Sequence, residues 1–268
     1  MIVLVTGASG MLGRAVAERL AAAGHAVRAF QRQPSGLAAS GAAPVPGAVV
    51  DLRGSVADPV AVARAVAGVD AVVHLAGNPD EDSLPAALAS HVHTTAHVLE
   101  AMVRHDVRRI AYASSNHAVG RTPHDAQLTT SVRPRPDTFY GVAKVAGEAL
   151  LSLYVDRFAI GAVAMRIGTF ADAPETVRQL STWLSPADAV RMVDAAITHP
   201  DPGYTVVNGI SANTRGWWDL TPGRSIGFDP QDDAEGYDTS IQARPEDDVE
   251  NAFVGGPHVT SAYVRSAF

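Results

Sequence analysis

Seven consecutive residues constrain this chain more than any others: Gly7-Ala8-Ser9-Gly10-Met11-Leu12-Gly13, with glycines at the spacing G-x-x-G-x-x-G. They follow an apolar run, Ile2–Thr6, that reads as a buried strand. They precede an alanine-rich segment, Arg14–Ala23, that reads as a helix closed by Gly24. Glycine permits a tight turn and lets backbone come close to a pyrophosphate. The helix behind it offers unpaired N–H groups and the positive end of its dipole. Strand, glycine turn and helix in that order open a βαβ unit. Gly7, Gly10, Met11, Leu12 and Gly13 are therefore expected to cradle a dinucleotide.

The alternation continues along the chain. Ala26–Phe30, Ala48–Val50, Ala71–Leu75, Arg109–Ala113 and Ile160–Ile167 read as strands. Pro59–Ala67, Leu84–His105 and Thr138–Arg157 read as the helices between them. This order predicts an α/β fold, a doubly wound parallel sheet of the Rossmann kind. Beyond Gly168 the pattern loosens. Ser185-Pro186-Ala187-Asp188 is a helix start that runs to about Thr198, and Tyr204–Val207 reads as a late strand. From Gln231 the sequence is polar, acidic and weakly periodic, as in a tail draped over the surface or partly disordered. The expected division is a dinucleotide-binding core over 1–168 and a small substrate-binding portion with a surface tail over 169–268, packed on the core as a single unit.

Composition removes several classes of function. A net charge of -7 leaves no basic footprint for nucleic acid and no cationic face for anionic lipid. No apolar stretch approaches a membrane span, and the first residues carry no secretion signal. Cysteine is absent, which excludes thiol catalysis and fits the cytoplasm. No His/Asp/Glu cluster has metal-ligand spacing, so no metal is expected, and the partner is a small molecule.

In a dinucleotide fold an acidic residue at the end of the second strand grips the adenosine ribose. Here that stretch reads Arg28-Ala29-Phe30-Gln31-Arg32-Gln33, with no carboxylate between Glu18 and Asp51. Gln31 and Arg32, with Arg28 and Arg14 nearby, should tolerate or prefer a 2′-phosphate, so NADP is expected to serve at least as well as NAD. Asp51-Leu52 is positioned to meet the adenine edge, although Asp51 serves equally as a strand-end turn residue. His74-Leu75-Ala76-Gly77 would border the nicotinamide half, where small residues such as Ala76 and Gly77 suit close approach.

Tyr140-Gly141-Val142-Ala143-Lys144 begins a helix, and the i,i+4 spacing puts both ionisable side chains on one face. Lys144 is the only lysine among 21 basic residues. A lysine kept where every other cation is arginine suggests a task that a planar guanidinium does badly. A nearby ammonium favours phenolate, which would turn a phenol into a base near neutral pH. Ser114-Ser115-Asn116-His117 follows the fifth strand and reaches the same edge of the sheet, so a serine hydroxyl there could hold a substrate oxygen in line with the phenol.

With these residues the chain resembles the extended short-chain dehydrogenase/reductases, and within them the uronate dehydrogenases. The resemblance is carried by Ala113–Gly120 (ASSNHAVG), Arg135–Glu148 (RPDTFYGVAKVAGE), Arg166–Thr169 (RIGT), Ser181–Ser185 (STWLS) and Ser211–Trp218 (SANTRGWW). It implies Ser115, Tyr140 and Lys144 as the catalytic set, with Tyr140, Lys144 and Ile167 also touching the cofactor beside Leu75 and Ala76. It further implies a sugar-acid site of Ser115, Asn116, His117, Tyr140, Thr169 and Arg178, and it is compatible with a homo-oligomer. Guanidinium binds carboxylate through two parallel bonds, which suits Arg178 to a sugar acid. The chain departs from the family at Pro79-Asp80-Glu81-Asp82, at His91 and His97, and at Gln31. The expected reaction is hydride transfer from a sugar hydroxyl to NAD or NADP, with a hexuronate oxidised at C1 to an aldarolactone. The alternatives are an epimerase, dehydratase or carbonyl reductase on another substrate, and a cofactor-sensing module without turnover.

Overall fold

The structure is a computed structural model in which residues 1–34, 36–37, 46–80 and 83–268 are described. The chain begins with β1 (Ile2–Thr6), α1 (Met11–Ala22), β2 (Ala26–Gln31), β3 (Val49–Arg53), α2 (Pro59–Val66) and β4 (Ala71–His74). It continues through α3 (Leu84–Ala87), a π-helical turn (Leu88–His93) and α4 (Thr94–Arg104) to β5 (Arg109–Ser115), α5 (Phe139–Phe158) and β6 (Gly161–Ile167). Then come β7 (Thr169–Phe170), α6 (Gln179–Thr182), β8 (Trp183–Leu184), α7 (Pro186–Thr198) and β9 (Tyr204–Gly209).

Seven strands form one parallel sheet in the order β3-β2-β1-β4-β5-β6-β9. Parallel strands covered on both faces are apolar throughout rather than alternating, and IVLVT of β1 is buried at four of its five positions. Val3 and Val5 face the layer of α1 and α7, while Leu4 faces α2, α4 and α5. The strand order reverses between β1 and β4, and such a switch point opens a crevice at the carboxyl ends of the two strands. The glycine turn and the His74–Gly77 loop meet there.

Three expectations are corrected. Helix α1 starts at Met11, not Arg14, so Met11, Leu12 and Gly13 form its first turn. Strand β3 runs on to Arg53, which places Asp51 and Leu52 inside the ladder, with Asp51 opposite Ala29; Asp51 is not a turn residue. The tail is ordered into short helical turns at Ala234–Ser240, Asp247–Asn251 and Gly256–Val259. Its Ala234, Asp247 and Val254 are buried, because the tail packs back on the loop after β5, where the Val254 and Gly255 N–H groups donate to the Thr122 and Gly120 carbonyls.

No helix among the described residues is long and apolar enough to cross a membrane. No group of three His, Cys, Asp or Glu residues among them could hold a metal ion.

Candidate active site

Helix α5 brings the tyrosine and lysine to the end of β5. Thr138 caps the helix, its hydroxyl accepting from the Gly141 N–H at 2.9 Å. A Cβ on Gly141 would lie 2.3 Å from the His117 carbonyl oxygen, so only glycine lets the Tyr140 turn sit against the loop that follows Ser115. Six residues further along the helix, Gly147 does the same against the Tyr112 hydroxyl. These two glycines set the distance between the helix and the strand.

Ser115 ends β5 and caps the short turn Asn116–Val119: its hydroxyl accepts from the His117 N–H and donates to Asn116 Oδ1, both at 3.2 Å. The Tyr140 hydroxyl lies close enough to Ser115 for the serine hydroxyl to favour its ionised form. Lys144 is buried, donates from Nζ to the Ala113 carbonyl at 2.7 Å, and lies 5.2 Å and 5.1 Å from the ring centres of Tyr140 and Tyr112. Burial pushes the Tyr140 phenol up to about 12, against the Ser115 hydrogen bond, which favours phenolate. Burial likewise pushes Lys144 down to about 7, against the Glu148 carboxylate, which favours its charge. The expectation that Lys144 lowers the phenol is therefore not met in the free protein. Burial outweighs it, and the lysine itself is drawn toward the neutral form.

Beneath the lysine is a buried polar cluster that the sequence did not announce. Glu148 receives Arg166 through two bonds of 2.9 and 2.8 Å and the Ser114 hydroxyl at 2.5 Å. His91, in the π-helical turn, packs edge-on against Tyr140 with ring centres 5.0 Å apart. Its Nε2 donates to the Asn78 carbonyl at 2.7 Å, and burial and Lys144 push the imidazole down to about 3, so it stays neutral. His97 is elsewhere, bonded to the Val56 carbonyl.

The crevice between β1 and β4 fits a dinucleotide. Gly7 has φ +72°, and a Cβ there would meet the Ala76 backbone nitrogen at 2.8 Å; on Gly13 it would meet the Gly7 oxygen at 2.2 Å. Gly10, the residue before helix α1, provides no side-chain cap, which leaves the first N–H groups of the helix free for an anion. Met11 is 75% exposed beside them, while Leu12 packs on the core. Thr6 ties the two loops together, bonding His74 Nδ1 at 2.7 Å and accepting from the Ala76 N–H at 3.2 Å. Leu75, Ala76 and Gly77 border the crevice, Gly77 directly against the His91 ring. Ile167 ends β6, paired with Ser115 in the next strand.

Gln31 is buried at the end of β2 and Arg32 beside it is exposed. Arg28 is not in reach. Its guanidinium is bound to the Ala65 and Ala67 carbonyls at the opposite end of the strand, so one of the three arginines behind the NADP expectation is removed.

The sugar-acid residues divide. Asn116 and Arg178 converge on one carbonyl, that of Val254 in the tail, at 3.1 and 2.5 Å. His117 joins them, with Nδ1 on the buried Asp137 carboxylate at 2.9 Å and its ring 5.8 Å from Tyr140 and 4.5 Å from His258. Thr169 stands apart, bonded to the Thr182 hydroxyl at 3.0 Å. Pro79 and Asp80 are exposed, while Glu81 and Asp82 lie outside the described residues. Asp137, His258 and the Val254 carbonyl were missed from sequence. Only Asp137, inside the RPDTFYG stretch, had a signal that could have found it.

Residues 3–172 match the NAD dependent epimerase/dehydratase family. The chain belongs to this family. It is 37% identical to the uronate dehydrogenase of Agrobacterium fabrum, with 98% of each chain covered. It is 35% identical to that of Pseudomonas putida, over 94% of this chain and 93% of the relative. Among solved structures, a tyrosine-to-alanine variant of uronate dehydrogenase from Agrobacterium tumefaciens complexed with NAD superimposes with a TM-score of 0.88 at 34% identity, covering 99% of each chain. The family is named for NAD and that structure holds NAD, which lends no support to a preference for NADP.

Proposed function

We propose that this family member oxidises a hexuronate at C1, passing hydride to NAD and releasing an aldarolactone. One observation carries the reading. Asn116, neighbour of Ser115, and Arg178 meet on the Val254 carbonyl, so a guanidinium of the kind that pairs with carboxylates stands beside the Ser115, Tyr140 and Lys144 group. The near full-length similarity to uronate dehydrogenases supports the same substrate class.

The residues that would hold NAD are those of the crevice: Gly7 and Gly10 to Gly13 at the diphosphate, Gln31 and Arg32 at the adenosine ribose, Asp51 and Leu52 at the adenine. Leu75 to Gly77, Ile167, Tyr140 and Lys144 would line the nicotinamide half. Bound NAD supplies the carbon that accepts the hydride. Ser115 holds the substrate C1 oxygen, and Tyr140, in its ionised form, takes that hydroxyl proton as the C1–H bond gives up its electron pair and the C–O bond becomes a carbonyl. The charged form of Lys144 favours the phenolate, and its ammonium can also hold a ribose hydroxyl. Arg178 pairs with the sugar carboxylate, Asn116 and His117 take sugar hydroxyls, and Thr169 lines the far side. The division into a core over 1–168 and a substrate-binding portion over 169–268 follows this assignment.

A panel of uronates and neutral aldoses, each incubated with NAD or NADP and followed by reduced-cofactor absorbance, tests the proposal. Net reduction with uronates and little with the matching aldoses is expected, and it should vanish in Tyr140→Phe. Equal turnover of aldoses would overturn the substrate class. Substrate conversion without net reduction would point to an epimerase that returns its hydride.

A further inference from the structure

Gln31 ends β2 immediately after Phe30, whose carbonyl accepts from the Gly7 N–H at 3.1 Å, so it stands beside the glycine turn. Ala29 packs in the layer of α1, and Gln31, two residues on, shares that face. So does Asp51 of β3, which pairs with Ala29. The Gln31 amide nitrogen donates to Asp51 Oδ1 at 2.8 Å. A carboxylate only accepts, so Asp51 admits a single orientation of the amide. The carbonyl Oε1 is then turned the other way. It is buried, with the residue 6% exposed, and it has no partner among the described residues.

A buried acceptor without a donor costs free energy until a donor arrives. We propose that Asp51 locks Gln31 so that Oε1 accepts a hydrogen bond from the adenosine ribose 2′-hydroxyl, making this chain selective for NAD over NADP. A ribose hydroxyl donates. A 2′-phosphate offers only acceptor oxygens and negative charge, and meets a fixed carbonyl backed by a carboxylate. Rotating the amide to present its NH2 group would set Oε1 against Asp51. Gln31 thus does with a neutral amide what an acidic residue does elsewhere in this fold, and Asp51 is the positioning residue behind it.

The inference rests on the dinucleotide crevice described above and not on the substrate, so direct binding separates the two. The protein without substrate is titrated with NAD and with NADP, by calorimetry or intrinsic fluorescence, as wild type, Asp51→Asn, Gln31→Ala and the double variant. Wild type should bind NAD at least about tenfold more tightly than NADP. An asparagine at 51 can face Gln31 with either oxygen or nitrogen, so Asp51→Asn should move the ratio toward NADP by about tenfold. In the Gln31→Ala background the same change should move it by less than about threefold, because the residue it acts through is gone. Wild type binding NADP as tightly as NAD overturns the proposal. An undiminished Asp51→Asn effect beside Gln31→Ala also overturns it, since Asp51 would then act by charge alone. If Asp51→Asn does not fold, Gln31→Ala alone decides: a lower NAD-to-NADP preference supports the lock and an unchanged one refutes it.

Discussion

Replacing Lys144 with methionine tests the physical state of the one buried lysine. Burial pushes its ammonium from the ordinary 10.5 down to about 7 in the folded chain. A group whose folded value is depressed in this way binds its proton more weakly in the native state than in the unfolded one. Below pH 7 both states carry the proton, and the native state bears the whole penalty of a buried charge. From there up to 10.5 the unfolded chain alone keeps the proton, so stability climbs with pH by about 1.4 kcal/mol per unit and levels off above. Over the whole interval this sums to about 5 kcal/mol. Methionine has a similar length and no charge, so Lys144→Met has no such slope. The lost bond to the Ala113 carbonyl adds a constant offset: the stronger donation of the ammonium is already contained in its folded pKa, which alone sets the slope. Groups that Lys144 does not touch cancel in the difference, and His74 and His91, which it helps to push down, stay neutral above pH 7. Urea denaturation of the cofactor-free protein, wild type against variant, should therefore show the variant's relative stability falling by about 2 kcal/mol between about pH 7 and pH 9. A relative stability of the variant that stays flat over that range, or rises with pH, would refute the depressed lysine. It would mean that Glu148 outweighs burial and keeps the ammonium charged.

Two further outcomes follow from the same site. Glu148→Gln leaves Arg166 buried without its carboxylate and should lower the unfolding free energy by about 3–5 kcal/mol, read by urea denaturation. Gly13→Ala places a Cβ 2.2 Å from the Gly7 oxygen and 2.8 Å from Ala8 Cα, backbone atoms that move only if the turn opens. It should cost about 1–3 kcal/mol in stability and weaken NAD binding measured by titration, whereas Gly10→Ala, whose nearest neighbour is 3.4 Å away, should do much less.

The parts of this molecule that could be read from its sequence are those whose physics is local or periodic. Apolar runs such as Ile2–Thr6 and Gly161–Ile167 announce buried parallel strands because both faces are covered, and Gly7 to Gly13 announces a turn because only glycine fits beside Ala76 and the Gly7 oxygen. The spacing of Tyr140 and Lys144 is local too, which is why one helix turn holds them together. What escaped depends on partners far apart in the chain. The Val254 carbonyl that gathers Asn116 and Arg178 has no side-chain signature, and it stands 138 positions from Asn116. The Asp137 carboxylate lies under Gly120 and Gly255, two glycines whose purpose is visible only once the tail has returned to the loop after β5. Gln31 is the sharpest case. Its identity alone pointed toward the 2′-phosphate, as did Arg28 three residues earlier. The fold sends Arg28 to the carbonyls of Ala65 and Ala67 and hands the Gln31 amide to Asp51, twenty residues away on a neighbouring strand. The meaning of an amide depends on which of its two ends is held. For Gln31 a carboxylate holds the donor end and the acceptor is left without a partner, and the preference we propose is the reverse of the one its residue type suggests.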